Sequence, residues 1–395
     1  MKKTFFTYLA FGLSLFLLSS GFSYFIFSRT ASMTQSEVTQ TPTKAPKKAK
    51  VDPSLPRTEI CPLNGALFTT LERDVWITRR PLGVMIENSL DSRPQSGLGT
   101  ADIVYEAVAE GGITRFMGMF YCDAALSGNI TIAPVRSARI YFVNLISEYD
   151  GLYAHVGGAG NCDDPNVDPR AKALCAIQRY SIKDLDQFGR AGDYKTCHRM
   201  ANRLDKEVAY EHTMACFLDE LYNVGTKWKW TNLDSKGVSW DKNFISWKFK
   251  SLTEKATGSP ATNVSYVFWG SNRDFNKSYD VEWKYDSSSG SYFRYNGGIQ
   301  AIDLNTDEPL QFKTVIVQKV KETFAEDIEK HMLYEVIGQG KAIIFMDGVA
   351  IDATWSKTAR TSRTIYKDLK GKEVKLNPGP IWISLIPSNN EVVTN

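Results

Sequence analysis

What this chain does without narrows its chemistry first. Its six cysteines and four histidines show no zinc-finger or zinc-ribbon spacing. No acidic run has the spaced oxygens and turn of an EF-hand, so the loop holding Asp163, Asp164 and Asp168 reads as solvated surface. No Gly-x-Ser-x-Gly elbow is present, and an α/β-hydrolase nucleophile is therefore not signalled. Charge of one sign is also lacking: 47 Lys+Arg stand against 44 Asp+Glu, a net +3, interspersed without a basic stripe. Nucleic acid is not an expected partner. No cysteine occurs before Cys61.

What is there begins with core-forming material: 43% hydrophobic residues and 12% aromatics over 395 residues suffice for two globular units. Lys2 and Lys3 precede an uncharged, Leu- and Phe-rich stretch, residues 5–27, closed by Arg29. At about 1.5 Å per residue it is long enough to cross hydrocarbon. A cleaved signal has a shorter apolar run ending in small residues, of which Thr30, Ala31 and Ser32 are a poor version. The expected organisation is an uncleaved signal anchor (1–31) and a Thr-, Pro-, Lys- and Ser-rich tether (32–57), then an N-terminal domain (58–232), a linker (233–257) and a C-terminal domain (258–395). Lysines flank the span on both sides, so the positive-inside rule gives a weak vote. A membrane-anchored chain with its domains on the extracytoplasmic side is the simplest architecture.

Residues 81–88, Pro-Leu-Gly-Val-Met-Ile-Glu-Asn, predict a buried strand, and 103–110 and 115–121 predict two more about the Gly111-Gly112 turn. Residues 129–135 predict a fourth strand. It leads into residues 137–149, whose apolar spacing predicts a helix with arginines in its first turn. Helical patterns recur at 171–178 and 199–224. After Gly225 short alternating runs predict strands at 264–269, 279–285, 292–296, 314–320, 334–339, 342–347 and 382–386. The expected fold class is α+β, a mixed α/β N-terminal domain followed by a largely antiparallel β domain. Tryptophans 228, 230, 240, 247, 269, 283, 355 and 382 serve either a sugar-stacking face or core packing. Cys162 lies near Cys175, and Cys197 near Cys216, which suits local disulfides among 15 possible pairings. A metal site from Cys197, His198, His212 and Cys216 is the competing reading.

The most informative run is Ala133-Pro134-Val135-Arg136-Ser137-Ala138-Arg139. Two guanidiniums three residues apart offer planar, paired donors that suit a phosphate or carboxylate. The alternative is that each arginine pairs with an Asp or Glu in a structural network. Burial of both in ion pairs with Glu106, Glu110 or Asp150 would remove the site. Glu106 and Glu110, at i and i+4, share a face whether helical or extended, and a salt bridge to Arg115 or Arg136 suits them better than glycosidase chemistry. His155, in Tyr153-Ala154-His155-Val156-Gly157-Gly158, is either a general base or a satisfied structural histidine. Ser137 between two arginines reads as a helix cap or phosphate contact rather than as a nucleophile.

Arg93-Pro94-Gln95-Ser96-Gly97, Ala101-Asp102-Ile103-Val104-Tyr105-Glu106, Glu110-Gly111-Gly112-Ile113-Thr114-Arg115-Phe116 and Pro134-Val135-Arg136-Ser137-Ala138-Arg139 together resemble the YerB-like family of bacterial envelope lipoproteins. That is a two-domain family of unknown function. The similarity returns near the C-terminus in Gly371, Leu376, Pro378-Gly379-Pro380, Trp382 and Pro387. The family's lipobox cysteine is missing, and its Pro-His-Asn element stands only as Tyr210-Glu211-His212-Thr213, which lessens the weight on His212. The resemblance implies an envelope protein; the arginine chemistry adds the expectation of an anionic ligand, a phosphate- or carboxylate-bearing glycopolymer or lipid-linked precursor, bound through Arg93, Gln95, Arg115, Arg136, Ser137, Arg139 and His155.

The order of strand, Pro-Arg run and His155-Val156-Gly157-Gly158 is also similar to the LytR–CpsA–Psr phosphotransferases. That similarity would make Arg136 and Arg139 a phosphate clamp and Asp102 or Glu106 the carboxylate beside Mg²⁺, with Asp102, Glu106 and His155 the candidate catalytic groups. Otherwise no cofactor or metal is implied. A non-catalytic scaffold for wall enzymes is the third reading, and the arginines serve binding without turnover equally well.

Overall fold

The structure, a computed structural model, describes residues 51–251, 253–269 and 277–395. The expected anchor at 5–27 lies outside these residues. Among the described residues no helix is long and apolar enough to cross a membrane.

The N-terminal region opens with α1 (Thr70–Trp76), started by a capping box in which the Thr69 side chain accepts from Glu72 N–H and the Glu72 carboxylate accepts from Thr69 N–H. All six residues of β1 (Leu82–Glu87) are buried, as befits a strand covered on both faces. The hairpin of β2 (Ile103–Glu110) and β3 (Ile113–Phe120) turns through Gly111 and Gly112, whose φ of 54° and 79° are those a tight two-residue turn demands. Then come α2 (Ile140–Ile146), β4 (Leu152–His155), α3 (Ala173–Arg179), β5 (Lys183–Asp186), β6 (Cys197–Arg199), β7 (Met214–Phe217) and α4 (Leu218–Lys227). The C-terminal region supplies β8 (Asn263–Tyr266), β9 (Val281–Asp286), β10 (Ser291–Asn296), β11 (Thr314–Val320), β12 (Gly338–Met346), β13 (Val349–Lys357), β14 (Ile365–Asp368), β15 (Ile381–Pro387) and β16 (Val392–Thr394).

Both regions share one sheet of eleven strands, ordered Ser259–Pro260, β13, β12, β11, β15, β2, β3, β1, β4, β5, with β14 on β13. The joint is the parallel pairing of β15 with β2, from Ile381 opposite Ile103 to Ser384 opposite Glu106. Every residue of β15 is buried, which a central strand with both faces covered requires. A second, antiparallel sheet holds β10, β9, β8 and β16. The Trp382 ring of β15 meets Trp283 of β9 at 5.4 Å, Phe116 of β3 at 5.2 Å and Phe312 at 5.0 Å, all edge to face. The fold class is as expected, α+β with a mixed N-terminal part and a largely antiparallel C-terminal part.

Local expectations fare unevenly. Residues 103–110 and 314–320 are strands over the expected bounds. The helix expected at 199–224 is overturned: only Leu218–Lys227 is α-helical, and Met214–Phe217 is a strand paired with Cys197–Arg199. The reason is covalent. A helix from 199 to 216 would separate its ends by about 25 Å at 1.5 Å per residue, whereas the Cys197–Cys216 disulfide holds the two Cα atoms 4.1 Å apart. Cys162–Cys175 and Cys61–Cys122 are the other disulfides. Cys197 and Cys216 are thus joined to each other, which closes the metal-site reading built on them. Trp240, Trp247, Trp283, Trp355 and Trp382 are buried, so these five pack cores rather than forming a sugar-stacking face.

Candidate functional site

Residues 133–138 run as a strap across the sheet end rather than as the strand and helical turn expected there. Ala133 bridges Ser96, Val135 bridges Ile86 and Ala138 bridges Gly158. The helix begins only at Ile140, with Arg139 as its N-cap residue, so the arginine pair precedes the helical turn. This strap sets Arg136 and Arg139 beside Arg115 of β3.

Strand parity decides which carboxylates reach them. Arg115 lies opposite Glu87 of β1 and Ala107 of β2, and directly opposed residues share a face. Glu106, one residue from Ala107, must point the other way. Without interruption Glu110 would follow Glu106. A register shift between Val108 and Glu110 inserts a bulge that reverses the parity, and Glu110 turns to the Arg115 face. The expectation that Glu106 and Glu110 share a face is overturned by this one extra residue.

The cluster that results has five charged members and a histidine. Glu110 Oε1 accepts from Arg115 Nη2 at 2.9 Å, and Oε2 pairs with Arg139 Nη2. Arg136 Nε lies 3.2 Å from Glu87 Oε1, and His212 Nδ1 lies 2.8 Å from Glu87 Oε2. The guanidiniums of Arg115 and Arg139 are buried at 4% and 7% exposure, while Arg136 keeps 25% and the Glu110 carboxylate 44%. Burial pushes the Glu110 carboxyl up, but Arg115, Arg139 and Arg136 outweigh it and hold it at about 2. Burial and the neighbouring Arg139 lower Arg115 to about 10, which leaves it charged at neutral pH. Three cations against Glu87 and Glu110 leave an excess of one positive charge.

Donor capacity is also in excess. Among the described residues Arg139 Nε and the Tyr153 hydroxyl are buried without a hydrogen-bond acceptor, whereas Arg136 Nε has the Glu87 carboxylate beside it. Ser137 gives its carbonyl to Arg115 Nη1 at 2.9 Å. The pairing that would have removed the site is half met: Arg139 is buried against Glu110, but Arg136 takes Glu87 and stays partly open, and Asp150 serves Arg80 and Lys183 instead.

Five expected site residues are engaged elsewhere. Asp102 is wholly buried at the far end of β2, about 26 Å from Glu110 at 3.3 Å per residue. It accepts from the N–H groups of Tyr121, Cys122 and Asp123 and from Asn64 Nδ2 at 2.8 Å. Glu106 is spent on Arg294, 2.8 Å away, and on Trp382 Nε1. His155 is buried with Nδ1 2.8 Å from Gly157 O and Nε2 3.0 Å from Asp184 Oδ1, the satisfied structural histidine. Arg93 and Gln95 brace their own loop, Arg93 through Asn88 and the Ser278 carbonyl, Gln95 through Asn88 and the Glu87 carbonyl. Arg115, Arg136, Ser137 and Arg139 do converge. Glu87 is the residue missed; its signal was a lone carboxylate closing an apolar strand. Cavities of about 430 and 360 Å³ open elsewhere, around Asp150, Lys183 and Arg360 and around Lys319, Lys341 and Trp355.

Fold and site define an α+β protein whose two regions share a mixed sheet and whose N-terminal region carries an arginine cluster with surplus charge and donors. The chain belongs to the family described as protein of unknown function DUF3048, matching its N-terminal domain over residues 68–213 and its C-terminal domain over 272–383. It is 28% identical over 328 residues to YerB of Bacillus subtilis (strain 168), a candidate lipoprotein, covering 82% of this chain and 86% of that one. The crystal structure of the YerB protein from Bacillus subtilis matches with a TM-score of 0.66 at 24% identity, over 85% of this chain and all of that one. This likeness shows the fold.

Proposed function

We propose that this is an extracytoplasmic envelope protein, held to the membrane by residues 5–27, that binds an anionic envelope ligand at Arg115, Arg136 and Arg139. The observation that carries the reading is the surplus: three guanidiniums face two carboxylates, and the Arg139 Nε donor is buried without an acceptor. Buried donors of that kind cost about 1–3 kcal/mol each until an acceptor arrives. The description of YerB as a candidate lipoprotein supports the envelope setting. Residues 5–27 are uncharged and apolar over a length that crosses hydrocarbon, which supports that stretch as the anchor. Binding without turnover is favoured over phosphoryl transfer, because Asp102 and Glu106, the carboxylates suggested for Mg²⁺, are committed elsewhere.

Co-sedimentation of the full-length protein with purified Bacillus subtilis sacculi tests this. Wild type is expected to pellet with sacculi carrying their anionic polymers and to stay in solution with stripped sacculi, and Arg136→Gln to stay in solution with both. Equal pelleting of wild type and variant would contradict the proposal.

A further inference from the structure

We infer that the ligand of this site is a dianionic oxyanion of the phosphate class, and that it docks by taking the place of the Glu110 carboxylate between Arg115 and Arg139. The inference rests on the anion-site reading above and names the ligand class and the way in. Glu110 is the only member of the Arg115–Glu110–Arg139 bridge that reaches solvent, at 44% exposure against 4% and 7% for its partners. It therefore covers buried cations from outside, as a ligand would. It also stands at the root of a turn with room to move: Gly111 and Gly112 have φ of 54° and 79°, and nothing lies within 4 Å of where a Gly111 Cβ would be.

Two oxygens of a tetrahedral oxyanion span nearly the distance of two carboxylate oxygens, so phosphate can repeat both Glu110 contacts. Its further oxygens can then accept from donors that a two-oxygen group leaves unmet, namely Arg139 Nε and the Tyr153 hydroxyl. Charge selects the same class. With Glu110 swung out, three guanidiniums are left with Glu87 as their ion-pair partner, a surplus of two that a dianion neutralises; the exposed Glu211, which also acts on Arg136, is matched by Arg199. A monocarboxylate would only replace like with like, and the loss of its translational freedom would then oppose binding.

Calorimetric titration of the full-length protein in detergent micelles, at pH 8 and without metal, decides this using inorganic phosphate and acetate. Phosphate is expected to bind wild type and acetate not to. Glu110→Gln is expected to bind phosphate about tenfold more tightly, since one competing charge-assisted contact of about 1.4 kcal/mol is removed. Glu110→Asp, which keeps the charge with a shorter reach, is expected to fall between them and decides the matter if Glu110→Gln does not fold. If both Glu110 variants bind phosphate no better than wild type while Arg136→Gln loses it, the site stands and the displacement is wrong. If acetate binds as well as phosphate, the ligand class is wrong. If no variant binds either anion, both readings fall.

Discussion

Removing the Glu106 charge should loosen the joint between the two regions more than any surface change. Glu106 and Arg294 are 0% and 1% exposed, with Nη1 and Oε2 2.8 Å apart and a second bond from Nη2 to Oε1. The carboxylate also accepts from Thr114 Oγ1 at 2.9 Å and Trp382 Nε1 at 3.1 Å. Glu106→Gln leaves a buried guanidinium without its counter-charge, and breaking such a pair costs about 3–5 kcal/mol. Arg294 keeps Asn296 Oδ1 and the Trp382 ring, 4.5 Å away, so the lower end of that range is expected. With a urea slope of about 3 kcal/mol/M, a loss of about 3 kcal/mol lowers the midpoint by roughly 1 M. Tryptophan fluorescence and far-ultraviolet circular dichroism should move together, because β2 and β15 belong to one sheet. The double variant Glu106→Leu with Arg294→Met should recover most of the loss, since paired removal of a buried ion pair is often close to neutral. A shift under 0.5 kcal/mol for Glu106→Gln, or simple addition of the two single effects, would refute the reasoning.

Other outcomes follow from the same contacts. Cys61→Ser with Cys122→Ser should lower stability by about 4 kcal/mol in a denaturant titration, from the chain entropy of a 61-residue separation; an unchanged midpoint would argue against the pairing. The Glu110 carboxyl is held at about 2, below its usual 4.5. Its contribution to stability is therefore complete above about 4.5 and lost as pH falls from there through about 2. An acid titration of Glu110→Gln should show a correspondingly smaller loss over that window than wild type. Burial and the neighbouring Asp123 push the Asp102 carboxyl up to about 7 against three backbone donors. Asp102→Ala should cost about 3 kcal/mol by stranding those donors, yet leave phosphate affinity of the folded protein unchanged; loss of affinity alone would return Asp102 to the site.

The legible parts of the fold were those set by local pattern. The apolar runs of β1, β2, β11 and β15 read as buried strands because both their faces are covered, and the Gly111-Gly112 hairpin is a turn only glycines favour. The shared sheet was not legible, since pairing Ile381 with Ile103 depends on contacts between strands far apart in the chain. Apolar spacing at 199–224 misled because a disulfide between Cys197 and Cys216 overrules helical preference. Within the site the arginines and the Glu110–Arg115 pair could be read directly. The bulge that separates Glu110 from Glu106 could not, because parity reversal leaves no mark in residue type.

Arg115, Arg136 and Arg139 are proposed to form an anion site. A crystal soaked in tungstate, a dianionic oxyanion with a strong anomalous signal, tests it most directly. An anomalous peak is expected within hydrogen-bond reach of Arg115 Nη2 and Arg139 Nη2 and beside Arg136, with the Glu110 side chain turned outward. Tungstate bound only elsewhere, with Glu110 still bridging Arg115 and Arg139, would contradict it.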